Sequence, residues 1–450
     1  MNALLIAALL AASPQATSAN AASITLEEAR REGRRNTQAL LSLLDLERAE
    51  QDIRLSRAPL FPQLGFSVSA GGVAAGTQRI VTPVCDPTGT NCVQQAVEVP
   101  GNSRGNYDIT LTLNQIIYDR SRWKQLAQSG AVADAQRGQT LDQEDASELE
   151  AINRFYNLYR SQATIQVLEA TVRRSEEQLE RARALFQAGR VGRGEELTAL
   201  VNLGNDRISL MQRRGQLAMD QTQLATWLAR PGPQPLVAQD PGLGHMELGS
   251  VPSLEAAIAE ARGRRPLIRG LQEQVRAAQL AREVAQSDYY PRVVGQGSYS
   301  RTGPSPGPVF IEPRLQNQVT GAVVLQWDLF SGLATQAQVS RASASLRTAE
   351  LNLAQAEREL DGAVRSSIET LAANIEATRL AAENRQAALQ SLALAEERFK
   401  AGAGSTLEVR DAQLSLTRAE LALLENRVSV EVARFVLMRA MGTLSSGELK

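Results

Sequence analysis

Two hydrophobic patterns take turns along this chain, in the same order twice. Leu64, Phe66, Val68 and Ala70 alternate with Gly65, Ser67, Ser69 and Gly71. A period of two predicts a strand over 64–76 with one greasy face and one small, polar face. The period returns where Tyr107, Ile109, Leu111 and Leu113 alternate with Asp108, Thr110, Thr112 and Asn114. From Asp119 to Gly189 there is no Pro and little Gly. That stretch predicts about 70 residues of helix, about 105 Å at 1.5 Å per residue. A shorter helix returns over 195–230. The second half repeats the plan. A weak strand covers 293–301. A fourth strand covers 318–329, with Val319, Val323, Leu325 and Trp327 on one face. A further helix of about 70 residues reaches Gly402, and a last one runs from Ser405 to about Met441.

Each half also opens on a helix. The first spans 25–57, starts at a capping box of Thr25 and Glu28, and ends at Pro59 and Pro62. The second spans 253–288 and stops at Tyr289-Tyr290-Pro291. The halves are therefore 22–230 and 253–442, with an irregular Pro/Gly-rich segment at 231–252 and a tail at 443–450. The first half carries roughly 17 more residues between its strands than the second, in a stretch that reads as a loop. The fold class predicted is mixed α/β, with four strands, two very long helices and an internal duplication. Helices of globular domains average about 11–12 residues, so these two belong to a coiled-coil or tubular element.

Both long helices break at the same short motif. Phe186-Gln-Ala-Gly189 stands 213 positions before Phe399-Lys-Ala-Gly402. The two tips are Gly189, Arg190, Val191 and Gly192, then Gly402, Ala403, Gly404 and Ser405. Ser405 and Glu408 have capping-box spacing. Glu408 and Asp411 are three apart, which puts both carboxylates on one helix face. Copies that brought these acids around an axis would form a cation-selective constriction. Acids in a first helical turn are also favoured by the helix dipole alone.

Bulk properties remove several classes. The net charge of −1 gives no basic stripe for nucleic acid. No apolar run of eighteen residues follows the N-terminus, which excludes an ordinary transmembrane helix but not membrane strands. Leu4–Ala12 and Ala19-Asn20-Ala21 read as the core and cleavage site of a signal peptide at 1–21, although Met1-Asn2-Ala3 carries no Lys or Arg. In an exported chain, Cys85 and Cys92 read as a local disulfide. There is one histidine, His245, and no nucleophile set, phosphate loop or metal cluster, so neither an enzyme nor a cofactor or metal is expected.

Strands of about ten residues can cross a bilayer, but open edges are not tolerated in lipid. The smallest membrane barrels have about eight strands, so four must pool with those of other copies. Asp108, Thr110, Thr112 and Asn114, with Thr320 and Gln326, would then face a wet lumen. Phe61, Tyr118 and Trp123 flank the strands where an interfacial aromatic girdle would lie.

The duplicated strand–strand–long-helix plan resembles the TolC-type outer-membrane efflux factors. So do Thr25-Leu-Glu-Glu-Ala29, the turns Ile117-Tyr118-Asp119 and Leu329-Phe330-Ser331-Gly332, and the two Phe-x-Ala-Gly tips. The resemblance implies a homotrimer with a 12-stranded barrel in outer-membrane lipid and a helical tunnel in the periplasm. It implies tips that dock a periplasmic adaptor coupled to an inner-membrane pump, proton-driven (RND) or ATP-driven (ABC). Under it, Glu408 and Asp411 fall on the paired acids that narrow the periplasmic entrance, and Glu195 on an acidic position of the first tip. The family's best-known member ties that entrance with a Tyr and an Arg; here those positions hold Phe399 and Gly404, so closure must be held otherwise. The competing reading is a structural or adhesive coiled-coil envelope protein that does not conduct.

Overall fold

The computed structural model describes residues 22–85, 92–230, 235–243, 249, 251–311 and 317–446. The signal segment and His245 lie outside the described residues. In chain order the elements are β1 (Ala22–Ile24), α1 (Leu26–Gly33), α2 (Thr37–Arg57), β2 (Gln63–Ala75), β3 (Gln78–Cys85), β4 (Cys92–Val99), β5 (Asn102–Tyr118), α3 (Arg120–Gln187), α4 (Arg193–Trp227), β6 (Leu236–Ala238), α5 (Leu254–Arg264), α6 (Pro266–Gln286), β7 (Arg292–Gly303), β8 (Asn317–Gln326), α7 (Ala334–Lys400) and α8 (Thr406–Met441). They form two compact units, and each draws on both halves of the sequence. A strand unit holds Glu47–Ala135 and Gln272–Leu351; a helical unit holds the described residues of Met1–Leu46, Gln136–Leu271 and Asn352–Lys450.

The strand unit is built on one antiparallel sheet in the order β2-β5-β7-β8. β7, weak in the sequence, is a central strand paired on both sides. Its Gly297 pairs with Leu113, and a Cβ there would lie 3.7 Å from the Leu113 Cβ. That is ordinary van der Waals distance, so packing does not demand the glycine; the glycines and serines of β7 simply leave its alternation with little hydrophobic contrast. β2 and β8 are edge strands, exposed along their whole length.

The stretch expected as a loop is mostly strand. β3 and β4 pair as a separate two-stranded ribbon, and Cys85 stands opposite Cys92 in its register. Cys92 is disulfide-bonded. The matching connection of the second repeat behaves differently. Gly307–Ile311 makes a single π-helical turn with Val309 fully buried, and Arg301 Nη2 donates to the Pro308 carbonyl at 2.5 Å.

In the helical unit two expected helices are each split. The 25–57 helix breaks at 34–36, where Asn36 Oδ1 accepts from the Ala39 N–H at 2.9 Å and caps α2. The 253–288 helix breaks at Pro266, which holds Arg265 extended (φ −64°, ψ 122°). Close backbone approaches fix the crossings. A Cβ on Gly33 would stand 2.3 Å from the Ala151 Cβ, and one on Gly138 would stand 2.6 Å from Gly270 Cα. The core is a set of narrow seams. Phe155, Tyr156, Ile152 and Leu224 meet Ile24 and Leu236, so the short parallel β1–β6 pair lies against α3 and α4. Val364, Leu360 and Leu437 meet Ile268 in a second cluster.

Polar groups interrupt these seams at regular places. Along the α3–α4 hairpin, Ser161 donates to Asp220 at 2.5 Å and Ser175 to Asp206 at 2.5 Å. Where α1 crosses α3, Arg30 Nε donates to Glu148 at 2.7 Å and Arg34 lies 3.3 Å from Asp145. Asp142 lies 3.4 Å from Arg265 and 3.6 Å from Arg439. Burial outweighs these arginines at Asp145 and lifts its carboxyl to about 6.

Candidate functional site

The two tips share one backbone solution. Gly189 (φ 71°) and Gly402 (φ 76°) are both left-handed, and a Cβ at either would meet nothing within 4 Å. The motif needs glycine for its angle, not for space. At the first tip Arg190 N donates to Leu185 O at 2.9 Å and Gly189 N to Phe186 O at 2.9 Å. At the second, Ala403 N donates to Arg398 O at 2.8 Å and Gly402 N to Phe399 O at 3.0 Å. This paired closure ends a helix on a left-handed glycine and explains Phe-x-Ala-Gly. Gly192 starts α4 without a side-chain cap, while Ser405 Oγ accepts from the Glu408 N–H at 3.2 Å. The second half of the expected capping box is absent among the described residues. The Glu408 carboxylate instead lies 3.9 Å from Arg398.

The three acids sort into two kinds. Glu408 and Asp411 are both exposed on one face of α8. Asp411 has no hydrogen bond or ion pair among the described residues. Glu195 is half-buried, and Thr406 Oγ1 donates to it at 2.6 Å. That bond ties the start of α4 to the start of α8, one tip to the other.

A second tie lies further along and was invisible in the sequence. Arg410 donates to both carboxylate oxygens of Asp206 at 2.9 Å and to Ser175 Oγ at 3.1 Å. The Arg410 and Asp206 side chains are 13% and 12% exposed, so the pair is largely out of water. Between the two hairpins lies a groove of about 470 Å³, lined by Gln178, Glu195, Asn202, Phe399, Arg410 and Gln413 among others. The tips are thus bridged by polar ties across a gap, with the packed seams kept inside each hairpin.

In the strand unit the register makes both sheet faces continuous. Leu64 pairs Leu113, Phe66 pairs Leu111, Leu111 pairs Tyr299, and Tyr299 pairs Val319. The other face sets Ser67 beside Thr110, Thr112 beside Ser298, and Ser298 beside Thr320. Asp108, Thr110, Thr112 and Asn114 all lie on this polar face. Asp108 accepts from Thr110 at 2.7 Å and from Thr302 at 2.8 Å. On the apolar face Phe66 is 71% and Val319 78% exposed, with no described residue over them. Exposed aromatics ring the end of the sheet where α2 and α3 join it: Phe61, Tyr118, Trp123, Tyr289, Tyr290 and Trp327. Arginines stand over two of them, Arg57 at 5.4 Å from Phe61 and Arg120 at 4.3 Å from Tyr290.

Comparison with known proteins agrees with this geometry. The outer membrane efflux protein family matches residues 31–230 and 257–443, one block in each half. The chain is 23% identical over 432 residues to the outer membrane protein TolC of Escherichia coli K12, covering 92% of this chain and 81% of that one. Its fold is similar to that of the Campylobacter jejuni outer membrane channel CmeC, with a TM-score of 0.77 at 15% identity, covering 93% of this chain and 86% of that chain. The Vibrio cholerae outer membrane protein VceC superposes at 0.72 with 15% identity, covering 93% and 96%. With both halves matched in order, the chain belongs to the outer membrane efflux protein family.

Proposed function

We propose that three copies of this chain form the outer-membrane exit duct of a tripartite export assembly, receiving substrate from a periplasmic adaptor and an inner-membrane pump. The observation that carries this reading is the four-stranded sheet. It has one largely apolar face, one largely polar face and two long free edges. Water does not favour such an apolar face, and lipid does not tolerate such edges, so closure with other copies answers both. Edge β8 of one copy and β2 of the next run in opposite directions, so antiparallel pairing continues around the ring. Three is the number the family resemblance implies. The helical unit has its own unfinished surface. On α4, Leu197, Val201, Ile208, Met211 and Met219 are 50–61% exposed and recur near heptad spacing, a seam for a neighbouring copy's helix.

In this duct Glu408 and Asp411 of each copy line the periplasmic mouth as acidic rings, and the exposed tips dock the adaptor. Thr406–Glu195 and Arg410–Asp206–Ser175 hold the mouth closed in place of the bonds that Phe399 and Gly404 cannot make. Single-channel recording in planar bilayers tests the reading. The trimer should conduct with cation preference, and replacing Glu408 and Asp411 with Ala should raise conductance and weaken that preference. Unchanged selectivity would reject the acidic mouth. A trimer that inserts and never conducts would reject the duct and favour the structural envelope protein.

A further inference from the structure

Within the strand unit the β3–β4 ribbon joins β2 and β5 through two residues on each side, Gly76–Thr77 and Pro100–Gly101. It leaves the sheet at the end away from the helices. The joint is tight: a Cβ on Gly101 would stand 2.5 Å from Ala75 O and 3.0 Å from Gly76 C. Pleating divides the ribbon's side chains. Ile80, Val84, Val93, Val97 and Val99 share one face, with Thr82 and Gln95 between them. The other face carries Arg79 opposite Glu98, Val81 opposite Ala96, Pro83 opposite Gln94, and the Cys85 and Cys92 positions, so it is mixed and holds a single large aliphatic residue. The five aliphatic residues are 43–70% exposed, so no described residue covers that face. A two-stranded ribbon is marginal by itself and needs something against its apolar side. The second repeat supplies no such face, because its own connection folds down with Val309 buried.

We propose that the ribbons of the copies in one duct meet over its outer mouth, apolar face to apolar face, and narrow it as a cap. This rests on the three-copy duct proposed above. The reach is sufficient. Eight residues of strand span about 27 Å, whereas twelve strands about 4.8 Å apart and tilted about 40° enclose a barrel about 12 Å in backbone radius. Each ribbon is also rooted on β2, the free edge along which copies join. Its face suits another sheet better than a lipid surface. Its aliphatic residues are all β-branched, and the ribbon has no aromatic anchor and no basic cluster for lipid headgroups. Its one arginine is opposed by Glu98 on the far face. A one-residue slip would turn the aliphatic set outward, and the cysteine pair at the ribbon's end is placed to prevent that slip.

Cross-linking on the full-length trimer with its native cysteines kept tests the cap. Under oxidation with copper phenanthroline, Val93→Cys or Val97→Cys should give covalent species between copies, and Gln94→Cys should not. Fast labelling of Val97→Cys by a water-soluble maleimide without cross-linking would overturn the cap. So would protection without cross-linking, which places the face in lipid. A second variant joins Thr77 directly to Pro100. Provided its trimers survive SDS, its conductance should exceed that of the parent; equal conductance overturns the cap while leaving the duct intact. A parent trimer that never conducts overturns the duct itself.

Discussion

Replacing Arg410 with Gln removes the cation that both Asp206 oxygens share at 2.9 Å. Exposed ion pairs contribute about 0–1 kcal/mol, and breaking a buried one costs about 3–5 kcal/mol. With side chains 13% and 12% exposed, this pair lies toward the buried end, at about 2–3 kcal/mol. If the bond is made in the closed mouth and lost in the open one, that energy shifts the open-to-closed ratio about 30- to 150-fold. Asp206→Asn should shift it to a similar extent, because it breaks the same bond from the other side. The double variant should then add little to either, with coupling close to the single effect. The assay is open probability of single trimers in planar bilayers, with SDS-resistant assembly as the control for folding. Additive single effects, or an unchanged open probability in intact trimers, would refute the clamp.

Asp145→Asn tests the buried ionic cluster. Burial raises this carboxyl to about 6 from an ordinary 3.8, so its contribution to stability is complete below pH 3.8 and is lost as pH rises through 6. The cost at pH 7 is about 3 kcal/mol, which the uncharged Asn avoids. Its melting temperature should therefore exceed the parent's at pH 7.5 and not at pH 4; an equal gain at both would sink the assignment. Gly138→Ala puts a methyl 2.6–2.8 Å from backbone atoms of Gly270 and Pro266 and should destabilise the helical unit by about 1–3 kcal/mol, read by thermal melting. An unchanged melt would mean the crossing yields freely. Gly402→Ala should cost about 1–2 kcal/mol, confined to the tip, because only the backbone angle is offended. Faster amide exchange at 398–406 with an unaltered melting temperature is the expected result, and uniform exchange along α8 would contradict it.

Much of the fold lay on the surface of the sequence because it rests on local rules. Alternation at 64–70 and 107–113 placed two strands, and Phe-x-Ala-Gly placed both tips. The misses have equally local or strictly non-local causes. The break at 34–36 depends on Asn36 capping a helix from inside a charged run, where no Pro announces it. The ribbon hid behind Pro83, Thr and Gly, residues that read as loop until their partners across the hairpin are known. Arg410 and Asp206 are 204 positions apart, and each looks like one more charge on a solvated helix. Glu408 and Asp411 were legible as a pair of acids on one helix face, but that Glu195 is engaged by Thr406 required both tips in one frame.

The two Ser–Asp bonds of the α3–α4 hairpin constrain how its tip can move. Their serines are fourteen residues apart on one helix and their aspartates fourteen apart on the other. The helices run in opposite directions, so only one alignment makes both bonds. Sliding by one heptad, either way, would press one carboxylate against Leu168 in the apolar seam. The hairpin is keyed, like a bar with two notches. It resists lengthwise shear and is left with swinging as a single lever, so that a small rotation far from the tip becomes a large lateral displacement at Gly189.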